Sequence, residues 1–119
     1  MSAAAVTAVL PRVLFFQLDD SLTEGLVQAL PRHSVLTMAE FPEYANAGGA
    51  ALIFCGSNRN TLNLALALGK GARVAVIAVA PLPDFAEWLD AIEAGAADYT
   101  SPPFDGKELG WILRSHIKV

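Results

Sequence analysis

A chain of 119 residues, 54% hydrophobic and 17% charged, has the size of one domain with a full core. The net charge is −4 and the Lys and Arg are scattered from Arg12 to Lys118, which excludes a basic patch for a phosphate backbone and argues against nucleic-acid binding by this chain alone. A single cysteine excludes an internal disulfide and fits a reducing compartment, and no apolar run reaches membrane-spanning length, so a cytoplasmic protein away from the membrane is the expectation.

Residues 1–10 are apolar but short and follow no charged segment, so they read as a disordered or extended tail. Residues 11–119 read as a single domain without repeat or linker. Val13-Leu14-Phe15-Phe16 is a continuous apolar run of the kind buried on both faces of a parallel sheet. Asp20 or Ser21 is a candidate cap for a helix to Leu30, with Glu24 completing a capping box. Ser34–Met38 reads as a second strand, and Phe41–Ala47 as a weaker helix with Pro42 near its start. Ala51–Cys55 is a third strand, followed by a polar loop from Gly56 to Asn60. A helix from about Thr61 to Leu68 follows, which Gly69-Lys70-Gly71 should stop. Val74–Val79 is a fourth strand.

The most closely written stretch comes next. Phe85, Trp88, Leu89 and Ile92 recur at helical spacing and predict one apolar stripe, with Asp84, Glu87, Asp90 and Glu93 on the polar side, a row that reads as a solvated face or, more sharply, as a docking face for a basic partner. Gly95 suits the helix end because it accepts positive φ. A short strand through Asp98-Tyr99-Thr100 must stop at Pro102-Pro103, and a last helix runs from about Asp105 to His116 with Leu109, Ile112, Leu113 and His116 inward. Strand and helix thus alternate five times. Right-handed crossovers turn that pattern into an α/β domain, a five-stranded parallel sheet with helices on both faces.

Gly95-Ala96, Asp98-Tyr99 and Pro103-Phe104 stand in register with a pattern typical of two-component response-regulator receiver domains, which this chain resembles over about residues 11–117. The resemblance implies the flavodoxin-like strand order 2-1-3-4-5. It also places the family's phosphorylation pocket at the strand ends, where acidic residues hold Mg²⁺, an Asp accepts the phosphoryl group, and a Ser or Thr and a Lys contact it. By register the acidic pair falls on Gln17 and Leu18, with Asp19 next. The acceptor falls on Gly56, or on Cys55 if the register slips by one. The hydroxyl falls on Ala80 and the lysine on Pro102. None of these side chains can do the replaced work. The chain therefore resembles a degenerate pseudo-receiver, without cofactor or metal and with Asp19 and Asp20 as weak donors only. Tyr99 stands where receivers carry a switching aromatic, but its usual hydroxyl partner is Ala80 here, so it is expected locked on the outer face.

Outside that pocket, the residues favour plain readings. Cys55 reads as a small core residue. His33 and His116 read as solvated or as favoured by a helix C-terminus. Gly69-Lys70-Gly71 follows a helix, which makes it a C-cap before a phosphate loop. Gly56-Ser57-Asn58 offers only one glycine toward an anion cradle. Trp111, at the margin of the last helix's apolar stripe, suits an interface anchor. With Tyr99 and Trp88 it would form an interaction face.

Two functions follow. The first is a non-phosphorylatable, non-enzymatic signalling module that acts through protein–protein contact, including homodimerisation through the fourth helix, fifth strand and fifth helix that the resemblance implies. The alternative is a small-ligand or anion sensor using the strand-end pocket, or a residual phosphorelay receiver with an unusual acceptor. An apolar patch on the last two helices with a filled strand-end pocket would favour the first. An open pocket with convergent polar groups would favour the second.

Overall fold

The computed structural model describes residues 12–30, 34–38 and 49–117, with the backbone alone over 34–38. The expected tail at 1–10 and helix at Phe41–Ala47 lie outside the described residues, as does His33. Strands β1 (Arg12–Phe16), β2 (Ser34–Met38), β3 (Leu52–Gly56), β4 (Val76–Val79) and β5 (Asp98–Thr100) alternate with helices α1 (Asp20–Ala29), α2 (Arg59–Ala72), α3 (Phe85–Ala94) and α4 (Gly106–His116). All strand pairs are parallel, in the order β2-β1-β3-β4-β5. Side chains are described for β1, β3, β4 and β5.

The apolar runs of β1 and β3 are continuous because both faces of the sheet are covered. Leu14, Phe16, Ile53 and Cys55 face one layer with Leu62, Ala65 and Leu68 of α2 and Ala91 of α3. Val13, Phe15, Leu52 and Phe54 face the other, with Leu22 and Leu26 of α1 and Leu109 and Ile112 of α4. Phe15 and Phe54 meet edge to face across β1 and β3 at 5.8 Å between ring centroids. Such a pair adds about 1 kcal/mol beyond its buried area.

Each described helix opens on an Asp or Asn side chain that accepts a first-turn N–H: Asp19, Asn58, Asp84 and Asp105. The capping box expected from Ser21 and Glu24 is replaced by a cap two residues earlier. Asp19 accepts from the Ser21 amide at 2.8 Å and the Ser21 hydroxyl at 2.6 Å, so the carboxylate takes the amide that Glu24 would have bonded in the box and engages the hydroxyl that would have been the cap.

Gly69-Lys70-Gly71 does not stop α2, which continues to Ala72 and ends on Arg73 in the left-handed conformation, φ 59°. Gly69 serves close packing instead. A Cβ there would lie 2.6 Å from the Val74 carbonyl oxygen and 2.8 Å from Val76 Cγ2, where the chain turns back toward β4. Gly95 does end α3, with φ 120° and its N–H bonded to the Ala91 and Ile92 carbonyls.

The largest departure concerns α3. Its stripe of Phe85, Trp88, Leu89 and Ile92 does not face the core: Phe85 is 75% exposed, Trp88 38% and Leu89 39%. Ala91 is its buried residue, and Ala94 packs beside it. The helix rests on the sheet through these small side chains, which leave the large ones no space beneath it.

Candidate functional site

The C-terminal ends of β1 and β3 flank a cleft of about 420 Å³, bordered by Gln17, Asp19, Gly56, Ser57, Asn58 and Glu87 among others. Gln17 leaves β1 with a left-handed backbone, φ 49°, unusual for a residue with a Cβ. Its side chain is pinned in place: Oε1 accepts from Thr61 Oγ1 at 2.8 Å. Asn58 accepts from the Thr61 amide at 2.9 Å, so both polar side chains are tied to the start of α2.

Gly56 is the last residue of β3, and the Cβ that it lacks would point at this cleft's wall. Such an atom would sit 3.1 Å from the Gln17 carbonyl oxygen and 3.6 Å from both Asn58 Nδ2 and Thr61 Cγ2. Cys55 belongs elsewhere. It pairs with Phe16 and Ala78 in the sheet, is fully buried, and has its thiol pushed up to about 12 by desolvation. Of the two positions left open by register, Gly56 is the one at the cleft, and Cys55 is core as its residue type predicts.

The remaining expected pocket residues disperse. Leu18 turns away to pack on the α1/α4 layer of the core. Ala80 is buried and donates its N–H to the Thr100 carbonyl at 3.0 Å, so Val79 and Pro81 border the cleft in its place. Pro102, joined to Pro103 by a cis peptide bond, lies in a separate groove with Gly25, Gln28, Phe104 and Gly106. Asp20 is exposed in the first turn of α1. The Asp19 carboxyl lies below its ordinary value, first because the Ser21 hydroxyl and then because the Ser21 amide hydrogen-bonds to its charged form. As a helix cap it has its bonding committed. The cleft's two carboxylates, Asp19 and Glu87, and its two side-chain amides, Gln17 and Asn58, are each hydrogen-bonded within the protein, and no group of three potential ligands occurs among the described residues.

A second feature lies on the far side of β5. Tyr99 is half-buried against the α2/α3 layer, and its hydroxyl donates to Glu87 Oε1 at 3.2 Å. Desolvation first, and the Glu87 charge second, raise the phenol above its ordinary pKa. Tyr99 is therefore held by α3 rather than displayed on the outer face. It borders a groove of about 490 Å³ with Phe85 and Trp88 on one bank and Thr100 and Glu108 on the other. Thr100 Oγ1 donates to Glu108 at 2.6 Å. Phe85 and Trp88 stack at 5.5 Å between ring centroids. Trp111, 55% exposed, stands one helical turn beyond Glu108 and meets His116 edge to face at 6.0 Å, while His116 Nε2 lies 3.4 Å from Asp98 Oδ2. His116 is thus half-buried between α4 and β5 rather than in the core.

Of the three residues expected on an interaction face, Trp88 and Tyr99 border this groove and Trp111 does not. Phe85 and Glu108 were missed as members of this face; Glu87 belongs to the acidic row that reads as a solvated face or a docking face for a basic partner. The signal was present in Ala91 and Ala94: two small residues three apart mark the side on which a helix can sit close to a sheet.

No family model matches the sequence and no curated protein matches it. Solved structures do. A signal receiver domain of an HD domain-containing protein from Pseudomonas fluorescens Pf-5 superposes with a TM-score of 0.65 at 18% identity, over 90% of this chain and 94% of that one. A CheY-like response regulator receiver domain protein from Methanospirillum hungatei JF-1 gives 0.63 at 17% identity, over 89% and 92%. A pilus assembly-related protein from Burkholderia pseudomallei K96243, so named provisionally, gives 0.65 at 15%, over 89% and 88%. At these identities the likeness establishes the architecture and nothing finer: the chain has the α/β, flavodoxin-like fold of response-regulator receiver domains.

Proposed function

We propose that this chain is a receiver-like signalling module of the two-component or phosphorelay type that takes no phosphoryl group and works by binding another protein, without enzymatic activity of its own. The observation that carries the reading is Gly56. It stands at the end of β3 beside the cleft, where the resemblance calls for the acceptor carboxylate. A Cβ there would also crowd the Gln17 carbonyl oxygen, at 3.1 Å. Ala80 and Pro102 support the same reading, since neither side chain offers a hydroxyl or ammonium to an anion. The exposed aromatic residues on α3 and α4 support the binding role.

One observation favours the second reading. The strand-end cleft is open, with Gln17, Asp19, Ser57 and Asn58 around it, where an interaction module was expected to have it filled. A small-ligand sensor would use that space. Against it, Gln17, Asn58 and Asp19 are each already hydrogen-bonded within the protein.

An amide NMR titration with Mg²⁺ and then beryllofluoride tests the proposal. The expected result is no saturable shift at Gln17, Asp19, Gly56 or Ser57, and no incorporation of phosphate from acetyl phosphate by intact mass. Saturable shifts that spread from Gly56 to Tyr99, or a stoichiometric phosphate adduct, would return the chain to the phosphorylated receivers.

A further inference from the structure

The groove between α3 and the β5–α4 segment combines an aromatic floor with a rim of one charge. Asp84 lines it beside Phe85 and Trp88, Glu108 lines the opposite bank, and Glu87 stands one turn on at the neighbouring cleft; residues 84–94 carry no Lys or Arg. Among the described residues no Lys or Arg is paired with Asp84, Glu87 or Glu108. Each of the three spends one oxygen within the protein: Asp84 on the Glu87 amide at 3.0 Å, Glu87 on the Tyr99 hydroxyl at 3.2 Å, Glu108 on the Thr100 hydroxyl at 2.6 Å. The other oxygens remain as acceptors for a cation. Phe85 and Trp88 present ring surface beside them.

We infer that the occupant of this groove is a segment of a different protein that carries Arg or Lys next to an aromatic or branched aliphatic anchor. A guanidinium fits on three counts: it pairs with carboxylates in a planar fork, stacks on aromatic faces, and sheds water more readily than an ammonium. The apolar anchor supplies the burial that the exposed Phe85 and Trp88 lack. A second copy of this chain fits less well, because an isologous contact would set the same carboxylate rim against itself. The inference rests on the proposal that the module acts by protein contact, and it names the chemistry of that contact.

The test is selection of a random 12-residue peptide library on the immobilised full chain, with a Phe85→Ser/Trp88→Ser double variant as counter-selection. Enriched peptides are expected to be net positive and to contain an apolar anchor. An Asp84→Asn/Glu108→Gln double variant keeps the helix cap and the Thr100 acceptor. It should bind those peptides about tenfold more weakly, by about threefold per lost charge, and the difference should shrink in high salt. Enrichment of neutral or acidic peptides that still require Phe85 and Trp88 would overturn the inferred charge and leave the contact face standing. Resonances of Phe85, Trp88 and Tyr99 that move with protein concentration alone would assign the groove to a second copy, again overturning the inference and not the face. If no peptide depends on Phe85 or Trp88, the inference and the contact face both fall.

Discussion

Helices α3 and α4 are nearly equal in length, 10 and 11 residues, and both are amphipathic in sequence. They use that pattern in opposite ways. α4 buries Leu109, Gly110, Ile112 and Leu113, whereas α3 buries Ala91 and leaves Phe85, Trp88 and Leu89 outward. An apolar stripe thus identifies a face that avoids water without saying which surface will cover it. In α4 the cover is the sheet. In α3 it is left for something else, and the small residues opposite the stripe are what seat the helix.

The contrast can be broken most directly in α4. Leu109→Ala should lower the unfolding free energy by about 2–5 kcal/mol in urea denaturation, as large-to-small changes in a packed core do. A loss under 1 kcal/mol would mean that α4 is no better packed than α3. Caps come next. Asp84→Ala removes the side chain that accepts the Glu87 amide and should cost about 1 kcal/mol. Hydrogen exchange should show fraying confined to the first turn of α3, with α4 unaffected.

The third test reads the one hydroxyl that ties α3 to β5. The Tyr99 phenol is raised in the folded state, so between its ordinary pKa of about 10 and its folded value the folded chain keeps a proton that the unfolded chain has lost. Its contribution is complete below that window and is lost as pH rises through it. Following the Tyr99 ring carbons by NMR, Glu87→Gln should lower the transition without returning it to the ordinary value, because desolvation is the larger cause. The smallest effect belongs to Phe85→Ala, which should change stability by no more than about 0.5 kcal/mol for so exposed a side chain. A loss near 2 kcal/mol would place Phe85 in the core after all.

Much of the fold could be read from the residues themselves. Continuous apolar runs located β1, β3 and β4, because strands covered on both faces need no alternation. Gly95 and Pro102-Pro103 bounded β5 by backbone chemistry alone. The misreadings share one cause: a local signal was given a local reason when the reason lay across the fold. Gly69 suggested a helix stop, yet its hydrogen atom is needed by Val74 and Val76. Ser21 and Glu24 suggested a capping box, yet Asp19 holds the Ser21 amide and hydroxyl that the box would use. The candidate site was legible as a set of substitutions but not as a shape. Register placed Gly56 at the end of β3, while nothing in Pro102 announced that the chain would carry it into a separate groove.

The Pro102-Pro103 pair that closes β5 has one more consequence. β5 is the outermost strand on its side of the sheet and is three residues long. An outermost strand carries unpaired amides and carbonyls that invite a strand from another molecule, and an aromatic patch nearby adds stickiness. Here Pro102 and Pro103, the second and third residues beyond its end, have no N–H to donate, so an incoming strand finds too short a ladder to hold. The chain can keep Phe85 and Trp88 in water, available to a partner, without offering its sheet as a template for aggregation.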